Sequence, residues 1–329
     1  MPVLSLREAE ELVVQALVRA RTNDANARSV AHALIAAEAD GLKGHGLSRV
    51  PSYAAQAKAG KVDGFAMPTF ARARPGLLTI DAGNGFAFPA LELAVAYLPE
   101  IVRGQGVAAA GIFRSHHCGA AGHTVERLAQ AGLAALMFAN TPSAIAPWGG
   151  SKPVFGTNPV AFACPLAGRE PLVIDLSLSK VARGNIVTAK QRGEKIPEGW
   201  ALDEYGKPTT DPEAALAGTM VPAGEAKGTA LALMVELLAA GLTGANFAAE
   251  ASSYLDAKGP PPGTGQLIVA FDPSAFGGDA ISRFALLAAS VEQQDGARLP
   301  GARRIAARKK AKSEGLNISE ALLAEIAAL

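Results

Sequence analysis

Six short apolar runs constrain the fold of this chain more than any other feature: LLTIDA (77–82), VAAAGIF (107–113), LAALMFAN (133–140), VAFACP (160–165), PLVIDLS (171–177) and GQLIVAFD (265–272). Each has strand length and is apolar at nearly every position, the pattern of a strand buried on both faces rather than of a half-exposed one. Between and around them the period changes to that of helices, over 88–102, 124–131 and 227–242. A chain that alternates in this way folds as mixed α/β, a sheet flanked by helices.

The ends read differently. Ser5-Leu6-Arg7-Glu8 is a capping box that opens an amphipathic helix to about residue 20, a second helix follows Asp24, and a third runs from about Arg49 to a glycine stop at Gly60. Helical patterning returns in the tail. The expected organisation is a mainly helical domain built from 1–75 and 285–329, around an α/β cofactor- and substrate-binding region over 76–284. Residues 193–219, rich in Pro, Gly and Asp and without a clear period, are expected to be a long loop or lid.

Lys plus Arg number 31 against 30 Asp plus Glu among 329 residues, so no net field favours nucleic acid or an anionic membrane. The longest uncharged run, 128–151, is broken by Pro142, Pro147 and three glycines and is no membrane span. The N-terminus has no apolar signal core, and Cys118 and Cys164 lie outside any metal-ligand spacing. The expectation is a cytoplasmic protein without metal. The basic segment Arg303, Arg304, Arg308, Lys309, Lys310 and Lys312 lacks interleaved aromatics and reads as a solvated face.

Gly83-Asn84-Gly85 follows a strand but lacks the third glycine of a dinucleotide fingerprint, Phe88 standing in its place, so it reads as a plain turn. Three of the five histidines fall in Ser115-His116-His117-Cys118-Gly119-Ala120-Ala121-Gly122-His123, after one strand and before a helix. Adjacent histidines rarely face one ion, so this is a glycine-bearing loop at a strand end, a place where α/β proteins bind ligands. In DGLKGHGLSR, glycines strip His45 of bulky neighbours and Arg49 follows four residues later. A proton donor beside a planar carboxylate clamp suits reduction of a 2-oxo or 2-imino acid, and a capped turn with a surface arginine is an equal alternative on spacing alone. Asp175, at the end of LVID, reads as a group that orients His45 or His117, or that caps a helix near Ser177 to Val181. Gly224-Glu225-Ala226-Lys227-Gly228 has the wrong spacing for a phosphate loop but opens a helix, a reasonable place for an anion.

Taken in order, DGLKGHGLSR, SHHCGAAGH, APWGGSKPVFGTNPVAFACP, VIDLSLSKVARGNI, PEGWALDEYGKPTTDP, GEAKGTALALMVELLAAGLTGANF and GTGQLIVAFDP resemble the malate/L-lactate dehydrogenase family that is unrelated to the Rossmann-fold lactate dehydrogenases. They span nearly the whole chain. The resemblance implies a non-Rossmann α/β fold and an NAD(P)-dependent oxidoreductase, usually a homodimer with its site between domains. On matching positions it implies that His45 is the proton donor and Arg49 the carboxylate ligand. It places His117, Gly119, Thr157, Asn158, Pro159, Asp175, Ser179, Lys227 and Gly228 in the cofactor and active-site lining.

The family commonly has serine where this chain has Gly44. Two substrate classes compete: 2-oxo acids, including the sulfolactate/sulfopyruvate and malate/lactate types, and the cyclic imines Δ1-piperideine-2-carboxylate and Δ1-pyrroline-2-carboxylate. A second anion on the substrate would need Lys43, Arg114, His116, Lys180 or Arg183. Because Arg114, Lys180 or Arg183 could also meet a 2′-phosphate, NADPH is expected ahead of NADH. A non-catalytic binding protein on the same fold is the reading from another class.

Overall fold

The computed structural model describes residues 2–329. Seven strands, numbered along the chain, form one sheet: β1 (Thr69–Arg74), β2 (Leu77–Asp81), β3 (Val107–Ser115), β4 (Ala134–Ala139), β5 (Val160–Leu166), β6 (Arg169–Leu176) and β7 (Thr264–Phe271). Their spatial order is β1-β2-β3-β7-β4-β5-β6. Only β2 and β3 are parallel, and the helix Ala87–Gln105 makes the crossover that a parallel pair requires. Every other neighbouring pair is antiparallel, so the sheet is mixed as expected.

The last apolar run in the chain is central in the sheet. β7 lies between β3 and β4 because its alternate side chains enter two cores. Ile268 and Ala270 join Val13, Leu34, Leu98 and Ile112. Leu267 turns to the other face, with Ile145, Phe155, Leu178, Ile186 and Val235. The first core continues without a break into the helices of both chain ends, through Leu17, Tyr53, Leu316 and Ile326.

At the N-terminus, Ser5 caps the helix Leu6–Arg19 and the Glu8 carboxylate accepts from the Ser5 amide at 2.8 Å, closing the capping box. Helices Asp24–Ala39 and Val50–Lys58 follow, and Ala302–Glu314 and Glu320–Ala327 come back from the other end of the chain. A two-residue ladder, Val3–Leu4 with Leu316–Asn317, ties the two ends together.

Residues 193–219, expected as a loop, carry regular structure. Ala201–Leu202 pairs with both Pro208–Thr209 and Thr219–Met220, and a short helix, Pro212–Ala217, lies between them. Elements this short leave no readable period. The helix expected over 227–242 is α-helical at Ala226–Glu236 and continues as a π-turn at Leu237–Gly241.

The basic tail is not a solvated face throughout. Arg304 and Arg308, one helical turn apart, are mostly buried and bind Asp40 and Glu126 from two other helices, with Arg308 Nε donating to Asp40 at 2.6 Å and Arg304 Nη1 to Glu126 at 2.7 Å. His123 Nε2 meets the same Asp40 at 2.8 Å. Asp40, His123 and Glu126 are grouped as metal ligands could be, but two guanidinium groups supply the positive charge there. No described helix is long and apolar enough to cross a membrane.

Candidate active site

Two surface recesses of about 290 and 670 Å³ open beside the β5–β6 hairpin, lined by residues that include Leu166, Arg169, Pro171 and Lys309. Neither is lined by any residue singled out as a site candidate, and Arg169 there is held by Glu292 at 2.8 Å. The stacked and buried titratable side chains lie elsewhere, around the histidines.

His45 sits on the first of two 3₁₀ turns, Lys43–His45 and Leu47–Arg49, which precede the helix Val50–Lys58. Arg49 is therefore on the turn before that helix rather than in its first turn. Gly46 is required between the two turns: a Cβ there would lie 2.3 Å from Glu38 Oε2, and that carboxylate accepts from the Leu47 amide at 3.0 Å. Gly44 has no such neighbour within 4 Å. Arg49 Nε donates to the Gly44 carbonyl at 2.7 Å, while its two Nη atoms have no protein partner among the described residues. A planar fork is left free for an anion.

The His45 ring stacks on His117, with centroids 5.3 Å apart and planes 8° from parallel. Its Nδ1 is sealed from solvent without a partner among the described residues, so Nε2 is the nitrogen that reaches open space. Burial pushes its pKa down to about 4, helped by the charges of Arg49 and His123. The imidazole is neutral at pH 7. His117 is buried too, its pKa lies well below the usual value for the same leading cause, and its Nδ1 is 2.5 Å from the Tyr53 hydroxyl.

His116 is not a free cation. It is 1% exposed, its Nε2 meets Gln56 Oε1 at 2.8 Å, and burial pushes its pKa down to about 3. Tyr254 packs against both His116 and His117, at centroid distances of 5.0 and 5.2 Å. The segment bearing Tyr254 is pinned by Lys61, a buried lysine whose ammonium donates to the carbonyls of Ser253 (2.5 Å), Asp256 (3.0 Å) and Lys258 (2.7 Å). Tyr53, Gln56, Lys61 and Tyr254 were not among the residues read from the sequence.

Asp175 does not hydrogen-bond to His45 or His117. Its Oδ2 accepts from the Gly122 amide at 2.8 Å, at the start of the helix Ala121–Gln130. The carboxylate thus caps that helix rather than one near Ser177 to Val181, where no helix forms, and a Cβ on Gly122 would sit 3.0 Å from it. Asp175 keeps a solvent-open side although protein crowds the rest of it, and this crowding raises its pKa. Gly119 holds the same loop with a φ of 67°, and a Cβ there would lie 3.0 Å from Phe88.

The remaining candidates converge, but not all face a ligand. Leu178 N donates to the Thr157 carbonyl, Ala223 N to the Leu178 carbonyl and Lys180 N to the Val221 carbonyl, each at 2.8 Å. Thr157 and Lys180 thereby join the segment 221–223, against which Gly228 also packs. Asn158 lies behind it, fully buried, with both amide hydrogens spent on Ala232 O and Glu236 Oε1. Glu236, also missed, holds Asn140 and the Ala248 amide as well. Ser179 spends its hydroxyl on the Val181 carbonyl at 2.8 Å. Gly228 is required because a Cβ would lie 1.9 Å from the Ala223 carbonyl. Arg114 is paired with Asp81, whereas Lys180, Arg183 and Lys227 form no ion pair among the described residues.

The family model described as malate/L-lactate dehydrogenase matches residues 4–327. The chain is 52% identical to the (2R)-3-sulfolactate dehydrogenase (NADP(+)) of Chromohalobacter salexigens, over 99% of this chain and 97% of that protein. It is 42% identical to the Δ1-pyrroline-2-carboxylate/Δ1-piperideine-2-carboxylate reductase of Pseudomonas aeruginosa, over 99% and 98%. Among solved structures, the Δ1-piperideine-2-carboxylate reductase of Pseudomonas syringae superposes with a TM-score of 0.94 at 37% identity, covering 100% of this chain and 99% of the other. Full-length matches of this kind leave no part of the fold unaccounted for. The chain belongs to the malate/L-lactate dehydrogenase family of oxidoreductases.

Proposed function

We propose that the protein interconverts a 2-hydroxy acid and its 2-oxo acid with NADP(H), and that the acid is (R)-3-sulfolactate and its 2-oxo partner sulfopyruvate. The observation that carries the reaction class is the pairing of an open His45 Nε2 with the unpartnered Nη fork of Arg49. Arg49 holds the substrate carboxylate end-on, and this places the adjacent carbon and its oxygen beside His45. His45 takes the hydroxyl proton at Nε2 in oxidation and returns it in reduction. The nicotinamide, when bound, supplies or accepts the hydride. Stacking on His117 and the covering Tyr254 keep water from the reacting carbon.

The residues present fit such a cofactor. Lys180 and Lys227 are exposed cations without ion-pair partners among the described residues, and Lys227 lies in the first turn of the helix Ala226–Glu236, where phosphate oxygens are favoured. Arg183 is half-buried with its Nε orphaned, and the cost of its burial lowers its pKa. A guanidinium held in this way calls for an anion. We assign it to the sulfonate, a second charge that neither a cyclic imine nor pyruvate offers.

Substitution of Arg183 by alanine is expected to raise KM for sulfopyruvate by roughly 10- to 100-fold, the worth of a charge-assisted hydrogen bond, and to leave KM for pyruvate and NADPH within a factor of three. The test of the function is a panel of sulfopyruvate, oxaloacetate, pyruvate and the two cyclic imines with NADPH and NADH. A preference for an imine would overturn the lead assignment in favour of imine reduction, the activity named for the relative with a TM-score of 0.94.

We further propose a homodimer. Leu231, Leu233, Met234, Leu237 and Leu242 expose 37–68% of their surface along one helix and its π-turn, an apolar strip that a second copy would cover. Leu237→Arg together with Leu242→Arg should shift the sedimentation coefficient to that of the 33.6 kDa monomer. Both cysteines are free and buried, in keeping with a reducing cytoplasm.

A further inference from the structure

We infer that Tyr53 is a positioning residue: it fixes His117 in the Nε2–H tautomer and so makes that ring a permanent neutral donor, parallel to His45, for an oxygen of the bound acid. The inference rests on the proposed reaction for the identity of the acceptor, and on the geometry for the rest. Tyr53 is fully buried, and its hydroxyl has one partner among the described residues, His117 Nδ1 at 2.5 Å. If Nδ1 carried the hydrogen, the phenol proton would have no acceptor inside the protein, an unmet donor in a sealed place. The phenol therefore donates, Nδ1 accepts, and the proton of the neutral imidazole resides on Nε2.

Nε2 of His117 has no protein partner among the described residues, yet it is not sealed from solvent. In a residue only 8% exposed, it is the polar atom left to face the cleft. The ring plane is fixed from several sides: Tyr53 at a centroid distance of 6.1 Å, Tyr254 at 5.2 Å and the stacked His45 at 5.3 Å. Two imidazoles so close are not both protonated. The Tyr53 hydrogen bond occupies the lone pair that a second proton on His117 would need, so His45 is the member of the pair that titrates. The stack divides the labour: His45 moves the proton, and His117 offers a fixed hydrogen bond to a carboxylate, hydroxyl or sulfonate oxygen.

Long-range ¹H–¹⁵N correlation spectra of the imidazoles test this directly, with the His117 signals assigned by their loss in His117→Gln. Wild type should show the Nε2–H pattern, and Tyr53→Phe should show a mixture that includes Nδ1–H. In steady-state kinetics with sulfopyruvate, Tyr53→Phe should raise KM about tenfold, because the wrong tautomer turns a lone pair toward an anion, with kcat within a factor of three. A wild-type Nδ1–H pattern would overturn the inference even if the variant did not fold. An unchanged tautomer and KM in a folded Tyr53→Phe would overturn it as well. The spectra need no substrate, so a failed substrate panel leaves them interpretable.

Discussion

Replacing His45 by alanine should lower kcat by a factor on the order of 10² to 10⁴ in both directions, with KM for the acid little changed because Arg49 still holds the carboxylate. In the reaction proposed above the loss falls on proton transfer, the step assigned to His45 Nε2. The pH dependence should be more telling than the loss itself. With a pKa of about 4 in the free enzyme, His45 is a ready base at neutral pH but a rare acid. In the oxidation direction, kcat/KM should rise with pH through about 4 and then level off. In the reduction direction, kcat/KM should fall about tenfold per pH unit above that value, since it reports the protonated fraction of the free enzyme.

The ternary complex should behave differently. A substrate carboxylate on Arg49 neutralises the leading charge that holds the His45 pKa down, so the break in kcat for reduction should lie at a higher pH than the break in kcat/KM. Parallel profiles of kcat and kcat/KM over pH 4–9 check this. A kcat near the wild-type value in His45→Ala would remove His45 from the mechanism.

The pairing of His45 and Arg49 on one turn was legible because its signal is local, a histidine between two glycines and an arginine one turn on, while spacing alone left a capped turn equally open and the family resemblance supplied the roles. The six strands were legible for the same reason: short apolar runs keep their meaning without knowledge of their partners. What the sequence concealed depends on partners far along the chain. Tyr53 sits on the buried stripe of its helix and reads as core, and its functional partner, His117, is 64 residues away. Lys61 reads as a surface lysine until the carbonyls of 253–258, more than 190 residues later, close around it. Asp175 was noticed for the right reason, a carboxylate at a strand end, but sequence alone does not say which amide it will meet. The resemblance places Asn158 in the cofactor lining, and Glu236, which claims its side chain, lies within a helix with nothing to mark it.

The basic tail is the sharpest case, and it carries a large stability effect. Arg308→Met should destabilise the fold by roughly 3–5 kcal/mol, because it leaves the Asp40 carboxylate, whose side chain has no solvent exposure, with too little positive charge beside it. For a chain of this length that corresponds to a fall in Tm of roughly 4–7 °C. The Arg308 hydrogen bonds to Asp40 (2.6 and 2.8 Å) and to Glu126 (3.0 and 2.8 Å) would all be lost at once. Pairing the change with Asp40→Asn removes the stranded charge while an amide oxygen still accepts from His123, so the double variant should be more stable than the sum of the two single losses implies, by at least about 1 kcal/mol.

The pH dependence of that stability has a definite sign. Arg308 and His123 outweigh the cost of burying Asp40 and hold its pKa far below the ordinary 3.8. The stabilisation is therefore complete above about pH 4 and is lost only as the pH falls through that depressed value. The gap between wild type and Arg308→Met in urea or thermal unfolding should be constant from pH 5 to 8 and narrow only in strong acid. A gap that closed near neutrality would place the effect outside the Asp40 pair. Asp40 also ends the helix Asp24–Ala39 and leads directly into the loop that carries His45. The helix Ala302–Glu314 thus fastens the root of the turn that carries His45, which is why two arginines in a basic tail matter to the proposed site.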